Sequence, residues 1–246
     1  MLLDKNKIFI TGILGILGSV LVGVGEFLLH FSLHIIGNAD NYQFFQFVPK
    51  NSLIKGHFLA VFGVPFYFLG YYHIYKMLEK GNKKLASIVF GLGILAFTIG
   101  GFWITSRAFL GTIVHLQNDI DTKVYQKILD NYTLISESLV QILRIIILLL
   151  SVFFSITILK GGTCYKKWMA IFNPIVLLIS VSTLYFISPQ IGKYIAPIAM
   201  NVVHFIVFSL SLYQLKKTTL YQYENNKKNC RNYINTNSII SNYCSC

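Results

Sequence analysis

Apolar residues run along the chain in six long blocks, separated by short polar stretches. The blocks cover about residues 8–33, 57–78, 85–116, 132–159, 168–187 and 195–215. Each is a continuous run without strict alternation, and each holds about the 20 residues a helix needs to cross a hydrocarbon core. A backbone inside lipid must satisfy its own hydrogen bonds, so each block is predicted to be a helix. The expected fold is all-α, a polytopic transmembrane bundle of six spans built from residues 1–217. Residues 218–246 are rich in Asn, Tyr and Lys and lack apolar periodicity, so they are expected to be a disordered cytoplasmic tail. Lys5 and Lys7 before the first block resemble the start of a signal peptide. The apolar run is too long for one and no small-residue cleavage site follows, so it is expected to be a retained span.

Composition agrees with this pattern. The chain is 54% hydrophobic and 12% charged, about half the charge that a water-facing domain carries. Its net charge of +12 does not form a basic face for nucleic acid, because the apolar blocks split it up. Fourteen of the 21 Lys and Arg residues fall on one side if the N-terminus is cytoplasmic, among them Lys76, Lys80, Lys83, Lys84, Lys160 and Lys216. Positive residues stay inside, so both termini are expected in the cytoplasm of a cell membrane. Cys164, Cys230, Cys244 and Cys246 then face a reducing compartment and have no metal-site spacing. The outer loop at about residues 34–56 carries Tyr42, Phe44, Phe45 and Phe47, an aromatic group expected at the outer interface. Tyr71, Tyr72, His73 and Tyr75 are expected to form the matching belt at the inner end of the second span.

Ionisable residues inside spans are expensive and mark candidate sites. On a helical wheel of about 100° per residue, Ser19, Glu26 and His30 fall within about 60° of Gly15. That face joins a small-residue stripe to an acid and an imidazole. In the fourth span Thr133, Glu137, Gln141, Arg144, Ser151 and Ser155 share one face. Arg107 and His115 lie late in the third span, His57 opens the second, and Asn201 and His204 lie early in the sixth. With the N-terminus inside, Glu26, His30, His57, Arg107, His115, Glu137, Gln141, Asn201 and His204 come to the outer leaflet, and Arg144 lies nearer the middle. The expectation is a polar cavity in the outer half of the bundle, with Glu26, His30, His57, Arg107, His115, Glu137, Gln141, Arg144, Asn201 and His204 as ligand-binding candidates.

Three chemistries fit that set. A small polar or amphiphilic ligand, lipid included, could bind or be transported there. Pro65, Pro174, Pro189 and Pro197 supply helix breaks, although the two halves show no inverted repeat. Alternatively, Glu26 and Glu137 could form buried ion pairs with Arg107 and Arg144, pinning four helices in register. A third possibility is an intramembrane hydrolase acting on lipid, with zinc on His57, His115 and His204 and a glutamate as base. No H-E-x-x-H, G-x-S-x-G, phosphate-binding or dinucleotide motif supports catalysis. The expected cofactor is therefore none, and the catalytic residues stay unassigned.

Three segments carry a resemblance. Gly-Val-Gly-Glu26-Phe-Leu-Leu-His30, Gly56-His57-Phe-Leu-Ala with Gly63-Val-Pro65, and Ser106-Arg107-Ala-Phe resemble an uncharacterised bacterial membrane-protein family, a domain of unknown function. The resemblance covers about residues 8–215. It implies a bacterial cytoplasmic membrane and no particular activity.

Overall fold

The computed structural model describes residues 2–31 and 42–236, with side chains for residues 5–31 and 42–218. His34 and Asn38 lie outside the described residues, as do the side chains of Cys230, Cys244 and Cys246. Among the described residues there are helices and no strands. The α-helices are α1 (Leu2–His30), α2 (Lys50–Leu78), α3 (Lys83–Val114), α4 (Thr122–Lys160), α5 (Pro174–Ile187), α6 (Pro189–Ile195) and α7 (Ala199–Thr236). Short 3-10 segments cover Gln43–Phe47, Lys167–Phe172 and Ala196–Ile198.

Five segments are long and apolar enough to cross a membrane: Lys5–His30, Lys50–Leu78, Lys83–Val114, Thr122–Lys160 and Pro189–Thr218. The fifth predicted span differs. Asn173 adopts extended geometry before Pro174, and its side chain accepts from the Val176 amide, capping a new helix. The block at 168–187 is thus split, and α5 keeps 14 residues, about 21 Å of rise. Pro65, by contrast, sits inside α2 without ending it. Helix α7 continues to Thr236, past the point where the sequence pattern places the tail. α4 begins ten residues before its predicted start, where Asp121 accepts from the amides of Lys123 and Val124.

Neighbouring helices run antiparallel around a ring ordered α1, α2, α3, α4, α5, α7 and back to α1. The tightest seam lies between α1 and α2. A Cβ on Gly15 would stand 2.6 Å from the Gly70 Cα, and one on Gly25 would stand 2.6 Å from the Gly56 carbonyl oxygen. Only glycine permits these backbones to approach so closely. α7 crosses the other side of the same stripe, with Asn201 against Gly23 and Leu212 against Gly12. The outward faces carry exposed Phe62, Phe102, Leu134, Ile145 and Phe186. Exposed apolar area on this scale belongs against lipid.

Candidate functional site

The seam of α1, α2 and α7 buries a ladder of polar contacts. Nearest the C-terminal end of α1, the Asn201 amide donates to the Glu26 carboxylate. The Asn201 oxygen in turn accepts from the Tyr67 hydroxyl at 2.7 Å. One turn further along α7, the His204 Nδ1 donates to the Met200 carbonyl at 2.8 Å. That fixes Nε2 as the acceptor for the Tyr71 hydroxyl at 2.7 Å. At the other end, His73 Nδ1 donates to the Ile8 carbonyl at 2.7 Å. Its Nε2 accepts from Ser211 at 2.7 Å, and Ser211 accepts from Tyr165 at 2.6 Å. All of these side chains are buried. Each polar atom named has a partner, as groups away from water require.

A second group closes over Arg107. Its Nε donates to His30 Nε2 at 3.1 Å, while His30 Nδ1 donates to the Glu26 carbonyl at 3.0 Å. The guanidinium lies 4.6 Å from the Tyr42 ring centre, 5.3 Å from Phe45 and 5.7 Å from Trp103, within the range of cation–π attraction. Tyr42 holds a left-handed backbone (φ 69°) at the start of the 3-10 turn, and its hydroxyl donates to Glu137. Burial, followed by that hydrogen bond, pushes the Tyr42 phenol up to about 12.

The ten candidates thus separate instead of sharing one cavity. Glu26 and Asn201 pair with each other, and His30 and Arg107 form the aromatic box. His204 bonds Tyr71, and His115 Nε2 donates to the Val48 carbonyl at 2.8 Å. His57 is half-buried at the start of α2, with no partner for Nδ1. Glu137, Gln141 and Arg144 are exposed on α4. Neither arginine reaches Glu26 or Glu137 at ion-pair distance, so the predicted ion pairs are not formed. Asn201 and the ring faces make the direct contacts instead, while Arg107 keeps a longer-range attraction to Glu26 and Glu137. Among the described residues no group of three or more His, Cys, Asp or Glu gathers as metal ligands. His57, His115 and His204 are each engaged elsewhere or apart.

Two sequence readings need correction. Tyr42 and Phe45 are buried against Arg107, not spread in an outer interface. Of the supposed inner belt, only Tyr72 is well exposed, whereas Tyr71 and His73 are core residues. Tyr71 and His73 lie near a span end, where aromatic composition carries the signal of a belt, and Tyr67 sits mid-span with no polar signal beyond its type.

Inside the helical ring lies a cavity of about 470 Å³, within the roughly 300–1,000 Å³ of ligand pockets. Its walls are mainly apolar, with Val64, Phe97, Ile104, Leu143, Ile147 and Leu178 among them. Three of the ten candidates line it: Glu26, Arg144 and Asn201. Trp103 and Ser182 complete its polar positions, and Trp103 also stacks on His30 at 5.7 Å. Arg144 has no hydrogen-bond or ion-pair partner in the bundle.

The chain belongs to a family of unknown function, DUF6796, whose family model matches residues 3–218. No curated protein and no solved structure matches it.

Proposed function

We propose that this member of the DUF6796 family is a six-span protein of the bacterial cytoplasmic membrane, with both termini inside, that binds a small polar or amphiphilic ligand in the cavity within its helical ring. The topology rests on direction and charge. α4 and α7 both run antiparallel to α1, so the chain between them must return to the opposite end. The short segment of 167–187 makes that return, with α6 leading into α7. The same antiparallel packing brings Lys5, Lys7, Lys76, Lys83, Lys160 and Lys217 to one end, which is the cytoplasmic one by the positive-inside rule.

Depth follows from that end. The rise from Lys7 to Glu26, from Lys84 to Arg107 and from Lys160 back to Arg144 is about 28, 34 and 24 Å respectively. With a hydrocarbon core of about 30 Å, these polar residues sit close to the outer boundary. The observation carrying the ligand reading is the cavity itself. It has apolar walls, a paired acid at one side and a partnerless guanidinium at another. A concave, mainly apolar space with a few polar groups has the character of a ligand site.

Native mass spectrometry of the purified protein tests the reading. A bound amphiphile is expected, and Gly100→Phe should displace it, because nothing lies within 4 Å of a Cβ at that cavity-lining position. Identical adduct-free spectra for both proteins would refute a ligand site. For topology, single cysteines at the exposed positions Asn118 and Gln190 should react with an impermeant reagent from outside, and one at Asn82 should not.

A further inference from the structure

The cavity has one feature that apolar packing does not account for. Arg144 is a fixed cation inside the most apolar stretch of α4, flanked by exposed Ile142, Ile145 and Leu148. Its counterpart Arg107 is enclosed by four aromatic rings and His30. Arg144 has neither ring nor carboxylate, and it lines the cavity. A guanidinium presents five N–H donors in a planar fork that matches a phosphate or carboxylate, and a charge at this depth is costly until it is met.

The geometry also indicates where such an anion comes from. α5 is tied to α4 near its start, where Ser151 Oγ accepts from the Ile175 amide at 3.1 Å. Its far end exposes Phe186 at 80% and Ile187 at 76%. This wall, made of α4 and the short helix α5, contributes Arg144 and Ser182 to the cavity lining. A molecule arriving through this wall comes from the lipid and not from water. The opposite wall offers no second cation. Glu26 already accepts from Asn201. The head group is thus held at Arg144 while the apolar walls take hydrocarbon.

We propose that the cavity is the binding site for an anionic phospholipid of the outer leaflet, with Arg144 holding the phosphate. The inference rests on the ligand-site reading above and names its ligand class.

The chain has two tryptophans, Trp103 in the cavity wall and Trp168 in the 3-10 segment at the other end. In the Trp168→Phe protein, fluorescence reports from Trp103 alone. This protein is reconstituted in phosphatidylcholine vesicles containing small amounts of chain-brominated phosphatidylglycerol or chain-brominated phosphatidylcholine. Brominated phosphatidylglycerol should quench Trp103 at roughly tenfold lower mole fraction, the scale of one charge-assisted hydrogen bond. Adding Arg144→Gln should bring the two lipids level, while Arg144→Lys should keep a several-fold preference. Arg144→Lys also serves as the folded control if the glutamine variant is unstable. Equal quenching in the parent protein would overturn the proposal, as would a preference that survives Arg144→Gln. Loss of the preference on adding millimolar inorganic phosphate would overturn the lipid assignment in favour of a free anion. The Gly100→Phe variant separates the two readings. If it lowers quenching by both lipids, the cavity is a lipid site whether or not Arg144 selects the head group. If no brominated lipid quenches Trp103 in the parent protein, the ligand-site reading falls with the proposal.

Discussion

The two sides of the ring are built on different physics. On the α1, α2 and α7 side, glycines let backbones touch and every rung of the polar ladder has a partner. On the α4 and α5 side, the helix is short, its far end is exposed, and the arginine facing the cavity is bonded to nothing in the protein. Lipid is as apolar as a leucine side chain, so burying hydrocarbon does little to drive helices together in a membrane. Close packing and hydrogen bonds do it instead. The first side uses both and is the scaffold. The second uses few of either, and the cavity lies against it.

Four substitutions test that contrast, and each is read as a shift in the unfolding midpoint in mixed micelles unless another measurement is named. The largest effect should come from Gly15→Val, which drives side-chain atoms into the Gly70 backbone. A loss of about 3 kcal/mol is expected, the upper part of the range for overpacking. A change below about 0.5 kcal/mol would show that α1 and α2 can slide apart freely. Next, Asn201→Leu strands both the Glu26 carboxylate and the Tyr67 hydroxyl. It should cost about 2 kcal/mol, and Glu26→Gln in the same background should recover part of it. If Asn201→Leu were neutral, the ladder would not be what holds α7 in place.

A smaller effect is expected at the box over Arg107. Tyr42 has a phenol raised to about 12 in the folded protein, against about 10 in an unfolded chain. The neutral phenol is the favoured form, so its contribution is complete below pH 10 and disappears as pH rises through 12. Tyrosinate absorbance should show a component titrating near 12 that Tyr42→Phe removes. If the wild-type and Tyr42→Phe titrations superimpose, the hydroxyl is not held by Glu137. Smallest of all is Phe186→Ala on α5, whose side chain is 80% exposed. It should change stability by less than about 0.5 kcal/mol. A loss above 2 kcal/mol would mean that α5 belongs to the scaffold and that the comparison drawn here is wrong.

Much of this was readable before any coordinates. The small-residue face of α1 predicted close packing, and Gly12, Gly15 and Gly23 do meet α2 and α7. The site was legible only as a collection. The sequence pattern puts Glu26, Arg107 and Asn201 toward one leaflet and Arg144 nearer the middle, but charge balance suggests carboxylate–guanidinium pairs. The acid instead met an amide, and one arginine met aromatic rings. The type and position of Tyr71 and His73 suit an interfacial belt. A wheel drawn on one helix does not show that α7 covers the face they occupy.

The division has a physical cause. The sequence alone determined the all-helical membrane-bundle class, the basic end of each helix and the family, because lipid imposes those on each segment separately through length, hydropathy and charge. The tertiary structure decided that Asn173 and Pro174 shorten the fifth block and that Tyr42 folds back over Arg107. It also decided that Arg144 lines the cavity without a hydrogen-bond or ion-pair partner. Those outcomes depend on the register between helices far apart in the chain, which is set by where glycine allows two backbones to meet.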